Sequence, residues 1–307
     1  MKHYSVLKKE TIEGLNINPD GIYVDATLGY GGHSEEILKK MRRGSLFAFD
    51  QDEDAIHFSQ ERLMKISPNF EIIYANFEHI KEKLLKRDVN QIDGIIFDLG
   101  LSSPQIDEAT RGFSFMQDAA LDMRMDKQGK LTAKEVVNEY PLEDLINIFF
   151  TYGEERHSKV IAKKIVQARE AKEIKTTLEL VEIIKSAIGM KYFITKHPER
   201  QIFQAIRIEV NNELKVLEKA LNDAIELLKP KGRISVITFH SLEDRIVKQI
   251  FKKNSEINPL VKGLPVIPDE YQPILKLINK KPIIPTEVEI KENTRSKSAK
   301  LRIAERI

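Results

Sequence analysis

Apolar residues in this chain gather into short runs that end on acidic or polar positions. Ile22 to Asp25, Ser45 to Asp50, Glu71 to Tyr74, Ile92 to Asp98 and Arg233 to Thr238 read as strands, and three of the five close on an aspartate. Helical patterns separate the first four, at His33 to Met41, Asp54 to Ile66 and Glu78 to Lys86. Nearly continuous apolar runs suit strands buried on both faces. Their alternation with helices of about ten residues predicts right-handed βαβ units in an open, mostly parallel, doubly wound sheet.

After the fourth strand the alternation stops. From Thr132 to Leu228 only amphipathic helical runs occur, such as KVIAKKIVQAR from Lys159 and LELVEIIKSAI from Leu178, which predicts an all-helical insertion. The sheet pattern resumes at LKPKGRISVITF, where Pro230 and Gly232 mark the turn out of a helix ending near Leu228. Leu301, Ile303 and Glu305 alternate as a final strand. The expected fold is therefore α/β and Rossmann-like, with one discontinuous domain at 1–108 and 212–307 and an inserted helical domain at 109–211.

Composition narrows the chemistry. With 307 residues, 41% hydrophobic and 31% charged, the chain has the makings of a substantial core. The first residues lack an apolar signal core and no run of about 18 apolar residues occurs, so a cytoplasmic protein with no membrane span is expected. Zero cysteines exclude a thiolate nucleophile, a cysteine-ligated zinc and a protein-held iron–sulfur cluster. Radical methylation and cytosine C5 methylation through a cysteine adduct fall with them. None of the seven histidines is paired at metal-ligand spacing, and no metal is expected.

The net charge of +2 hides a segregation. Arg156 to Arg200 holds 11 Lys/Arg against 5 Asp/Glu, and Arg245 to Ile307 holds 14 against 7, so these segments carry +13 and the rest −11. Either segment alone fits a solvated helix face. Together they point to a polyanion such as RNA or DNA, with Lys163, Lys164 and Arg169 as candidate phosphate contacts.

Two turns carry the candidate site. Gly29, Gly31 and Gly32 follow the first strand and open a helix at His33, an arrangement that lets backbone approach a ligand and points helix N–H groups at a polar or anionic group. Asp50, about 20 residues on, sits where an acid receives a ribose diol. The turn reads G-x-G-G, not the G-x-G-x-x-G of a dinucleotide site. Asn76 and Phe77 follow the third strand, where a base lies along the strand ends; Phe77 suits simple core equally well. Asp98 closes the fourth strand beside Gly100, Ser102, Ser103, Pro104 and Gln105. An acid followed by a proline turn partly resembles the D-P-P-Y loop of amino methyltransferases, although carboxylate and proline are not adjacent here.

DATLGYGGHS, FDLGLSSPQ, RGFSFMQDAALDMRMD, YGEER, FQAIRIEVNNEL and TFHSLEDRIVK occur in the order that, from His3 to the terminal LRIAER, resembles the ribosomal RNA small subunit methyltransferase H family (RsmH), also called MraW. That resemblance implies a Rossmann-like methyltransferase domain with a helical insertion. It also implies methyl transfer from S-adenosylmethionine to N4 of a cytidine in the decoding region of 16S ribosomal RNA. The implied S-adenosylmethionine contacts are Gly31, Gly32, His33, Asp50, Phe77, Asp98 and Gln105; His33 and Gln105 rest on the resemblance alone.

For the chemistry, either Asp98 or oxygens of Ser102 and Ser103 accept the amine hydrogens, while a pure cofactor role for Asp98 remains open. His240 and Ser241 are candidate pocket residues, with a helix cap by Ser241 and Asp244 as the alternative. The partner is 16S rRNA, free or in the small ribosomal subunit, and monomer and homodimer are both open. Two other classes compete. A nucleotide-sensing protein would not need Asp98 with SSPQ, and an NAD-dependent oxidoreductase would want the missing G-x-G-x-x-G.

Overall fold

The structure is a computed structural model describing residues 5–257, 261, 263 and 265–307. Parts of the motifs and of the lysine-rich stretch after Lys253 lie outside the described residues: His3, and positions 258–260, 262 and 264. Contacts divide the chain into two compact units, one of residues up to 100 together with those from 214 on, the other of residues 101–213. The boundaries expected from the sequence are 108/109 and 211/212.

In chain order the first unit begins with α1 (Lys8–Leu15), β1 (Ile22–Asp25), α2 (Gly32–Lys40), β2 (Ser45–Asp50), α3 (Glu53–Met64), β3 (Phe70–Tyr74), α4 (Ile80–Leu85) and β4 (Ile92–Asp98). The second holds α5 (Ser103–Asp107), α6 (Ala133–Glu139), α7 (Leu142–Thr151), α8 (Ser158–Ala171), α9 (Thr177–Ala187), α10 (Met190–Lys196) and α11 (Pro198–Asn211). The chain then returns through α12 (Glu213–Leu227), β5 (Leu228–Thr238), α13 (Ser241–Ser255), β6 (Leu275–Leu277), α14 (Glu287–Glu292) and β7 (Lys300–Arg306).

Among the described residues seven strands form one sheet in the order β3-β2-β1-β4-β5-β7-β6. The first five run parallel, and β7 lies antiparallel between β5 and β6. This is the doubly wound, Rossmann-like α/β sheet expected. Strand order reverses between β1 and β4, the place where open α/β sheets bind ligands outside the carboxyl ends of their strands. Asp25 pairs in register with Ile96, Asp50 with Tyr74 and Asp98 with Ile237, so the three strand-end aspartates share that carboxyl edge. Val24, Phe49, Ile95, Phe97, Ile234 and Val236 have no exposed surface, as strands covered on both faces require.

Two strands depart from expectation. β5 starts at Leu228, so Pro230 and Gly232 lie within its first half rather than ahead of it; Lys231 takes φ 67 and the pairing with β4 shifts register between Ile92 and Gly94. The turn residues there make a bulge inside a strand. β6, three residues long, is too short to show a period in the sequence and exists through its pairing with β7.

The second unit packs its own core from Val136, Val137, Leu145, Phe149, Ile161, Ile165, Leu180, Ile184, Ile202 and Ile206, all fully buried. Thr132 with Glu135 and Thr176 with Glu179 form capping boxes that start α6 and α9. Arg169 is not a phosphate contact: its guanidinium donates to Val137 O at 2.8 Å and Tyr140 O at 2.7 Å, satisfying carbonyls that the end of α6 leaves without helical partners. Arg169→Met strips both and is expected to cost this unit about 1–3 kcal/mol. A lower denaturant midpoint checks it. Among the described residues no helix is long and apolar enough to cross a membrane.

Candidate functional site

The site grows from the turn between β1 and α2. Asp25 is 1% exposed; its Oδ2 accepts from Ser34 Oγ at 2.7 Å and its Oδ1 from Thr27 N at 3.1 Å. Burial pushes this carboxyl above the ordinary aspartate value, although Ser34 and the nearby His33 oppose the shift. Asp25 thus ties the end of β1 to the first turn of α2.

Between them Gly29 and Gly31 adopt φ 48 and 74, the left-handed region glycine enters at least cost. Gly31 occupies the N-cap of α2 and supplies no side-chain cap, so the first N–H groups of that helix stay open to a ligand. A Cβ on Gly32 would come within 1.9 Å of Ser5 Oγ, so no side chain fits there. Ser59 Oγ, on α3, donates to Gly29 O at 2.7 Å and braces the turn from outside.

Asp50 ends β2 with both oxygens engaged. Oδ2 accepts from Gly29 N at 2.7 Å and Oδ1 from Asp52 N at 2.9 Å. Burial outweighs these two donors, and with Asp52 nearby the carboxyl is pushed up to about 6. Phe77 follows β3, half-buried, edge-on to Phe97 with ring centroids 5.7 Å apart. Asn76 beside it donates to Gln51 Oε1 at 2.8 Å.

Asp98 ends β4. Its N–H donates to Thr27 Oγ1 at 2.7 Å, joining the two strand ends, and its Oδ2 lies 3.3 Å from His33 Nε2. That approach lacks hydrogen-bond alignment: both ring nitrogens of His33 and Oδ1 of Asp98 are buried without a hydrogen-bond partner. His33 is 4% exposed. Buried polar atoms are almost always paired. Three orphaned atoms beside an open glycine turn fit a polar ligand such as the amino acid and nucleoside parts of S-adenosylmethionine.

Six of the seven expected cofactor residues, Gly31, Gly32, His33, Asp50, Phe77 and Asp98, therefore fall in one unit along one sheet edge. Gln105 belongs to the helical unit, where its Oε1 accepts from Ser102 N at 3.0 Å and its own N donates to Ser102 Oγ at 3.4 Å. The side chains of Ser103 and Pro104 lie outside those described.

At the end of β5 the cap differs from expectation. α13 begins at Ser241, which makes His240 the N-cap: its Nδ1 accepts from Glu243 N at 3.5 Å, and Glu243 returns by accepting from Phe239 N at 2.8 Å and His240 N at 3.3 Å. Asp244 instead binds Arg302 and Lys300. Sequence reasoning also missed Asp25, Thr27 and Ser59 as braces of the site. For the first two a signal existed in the acid and hydroxyl that flank Ala26; Ser59 shows no signal within its helix.

The family model described as the MraW methylase family matches residues 1–307. Among solved structures, the chain is similar to an rRNA methylase from Streptococcus thermophilus, at 12% identity and TM-score 0.42 over 98% of this chain and 93% of that one. It is also similar to a methyltransferase homolog from Pyrococcus horikoshii, at 14% identity and TM-score 0.43 over 99% and 67%. A SAM-dependent O-methyltransferase from Thermotoga maritima is similar at 8% identity and TM-score 0.42 over 98% and 64%. Matched along its whole length, the chain belongs to the MraW methylase family.

Proposed function

We propose that this cytoplasmic protein transfers a methyl group from S-adenosylmethionine to N4 of a cytidine in the decoding region of 16S rRNA, presented free or in the small ribosomal subunit. The observation that carries the reading is the buried, unsatisfied His33–Asp98 pair beside the glycine turn, in a chain matched throughout by a methylase family. The sheet unit is the methyltransferase domain and the helical insertion recognises the substrate.

Gly31, Gly32, His33, Asp50, Phe77, Asp98 and Gln105 hold the cofactor. When bound, S-adenosylmethionine supplies an electrophilic methyl on its sulfonium. Asp50 accepts from the ribose hydroxyls, and Phe77 packs against the base. The N4 lone pair of cytosine is delocalised into the ring, so the amine needs an acceptor for its hydrogens as positive charge builds on nitrogen. Asp98 Oδ1, without a protein partner, fills that role and takes the proton that leaves N4. His33, at 3.3 Å from the other oxygen, fixes the carboxylate's direction. Lys163, exposed on α8, meets RNA phosphate.

Isotope-labelled methyl transfer to small ribosomal subunits, followed by nucleoside analysis, tests the reaction. N4-methylcytidine is expected; label in another nucleoside, or none, overturns it. The cofactor contact has its own test. Because the Asp50 carboxyl titrates near 6, the diol acceptor is ionised above that value and protonated below it. Cofactor affinity should therefore weaken as pH falls through about 6, and in Asp50→Asn this part of the profile should be absent, with affinity low throughout. Calorimetric titrations from about pH 5 to 8 give the comparison.

A further inference from the structure

The helical unit carries a planar cation held in the open. Tyr192, in the first turn of α10, donates its hydroxyl to the carboxylate of Glu155 at 3.0 and 3.2 Å. Glu155 is fully buried and also accepts from His157 N at 2.6 Å, so the phenol is anchored from below. The His157 ring meets Tyr192 edge-on at 4.5 Å, with the planes at 88°. Over the Tyr192 ring lies the guanidinium of Arg156, 4.8 Å from the centroid. Arg156 itself is exposed and makes no ion pair among the described residues. A cation–π contact of this kind orders a side chain that would otherwise sample many rotamers, and it leaves the outer guanidinium face to solvent.

Further cations surround it in the chain. Lys159 lies three residues on, Lys163 one turn further along the same face of α8, and Lys196 one turn from Tyr192 on α10; all three are exposed and make no ion pair among the described residues. Glu155, the acid beneath the platform, is consumed by Tyr192 and the backbone. Unpaired bases of single-stranded RNA stack on aromatic rings and on arginine planes, while lysines follow the phosphates. The arrangement is a planar stacking surface inside a cationic field.

We propose that the Arg156–Tyr192 pair is a stacking platform for an unpaired nucleobase of the RNA substrate, flanking the target nucleotide. This deepens the proposed rRNA reading and rests on it. Arg156 is the contact surface, Tyr192 its support, and Glu155 positions the support. The alternative occupant for a lone surface arginine is a phosphate, which needs charge but not a plane.

The R156K variant separates the two because it keeps the charge and loses the plane. Binding of the full-length protein to a fluorescently labelled single-stranded RNA of decoding-region sequence is measured across a salt series, alongside the KM for small subunits. R156A and R156K are both expected to weaken binding about tenfold, and to raise KM with little change in kcat. The salt dependence of R156K should match that of wild type. Y192F, which frees Glu155 but keeps the ring, should fall between wild type and R156A. Wild-type affinity in R156K overturns the platform and leaves a phosphate contact, and wild-type affinity in both Arg156 variants removes the site altogether. A wild-type protein that does not methylate rRNA would sink the underlying reading instead, a result distinct from either.

Discussion

Asp98→Asn is expected to lower single-turnover methyl transfer at saturating cofactor by about 10²–10⁴-fold, with a smaller change in cofactor affinity. The amide keeps the shape of the carboxylate and removes its basicity, so the proton leaving N4 has no acceptor. Asp98 takes no hydrogen bond through Oδ1 from the protein, and its backbone N–H, not its side chain, joins β4 to Thr27. The substitution therefore breaks no internal hydrogen bond. The negative charge it deletes lies near buried Asp25, whose carboxyl that charge helps to push up. Thermal stability should stay level or rise as activity falls, the mark of a group kept for chemistry at a cost in stability. Normal turnover at saturating cofactor would return Asp98 to a pure cofactor ligand. His33→Gln gives the companion reading: an intermediate loss in rate is expected if the imidazole only directs the carboxylate.

Much of this arrangement is legible in the residues themselves. β1, β2 and β4 lie where their apolar runs lie, because a strand buried on both faces has no polar position to blur its ends. The glycine turn is legible for a related reason, since φ values of 48 and 74 and a contact with Ser5 admit nothing larger. Less can be read where partners arrive from far along the chain. Arg169 looks like any exposed cation of an amphipathic helix, and only folding brings it to carbonyls some 30 residues earlier. Ser241 and Asp244 have the spacing of a capping box. The helix starts one residue earlier than that motif needs, which hands the cap to His240 and Glu243. β6 acquires its identity from β7 alone. The family motifs also divide by role: Asp122 with Arg124, and Asn211 with the backbone of Met123 and Met125, hold the helical unit together instead of meeting a ligand.

The Asp244 carboxylate, released from capping, forms the ion pair whose loss should be felt most in stability. Arg302 Nε donates to Oδ1 at 2.7 Å and Nη2 to Oδ2 at 3.2 Å, with Lys300 Nζ 3.2 Å from Oδ2. Both partners of the bidentate pair are 9% exposed. Together they pin α13 to β7, the antiparallel strand that lies against β5, and so fix the strand end from which His240 projects. Asp244→Ala leaves a buried guanidinium with no counter-charge and should cost about 3–5 kcal/mol. Arg302→Lys should recover little, because an ammonium cannot reproduce the two-pronged contact. Burial alone would push the Asp244 carboxyl up, yet Arg302 and Lys300 hold it below the ordinary aspartate value. A carboxylate depressed in the folded state stabilises above its unfolded value, about 4, and that stabilisation is lost as pH falls through the lower folded value. Denaturant midpoints of wild type and Asp244→Ala should therefore lie far apart at neutral pH and converge in acid below about pH 4. Equal midpoints at about pH 7 would show that α13 and β7 are held by packing alone.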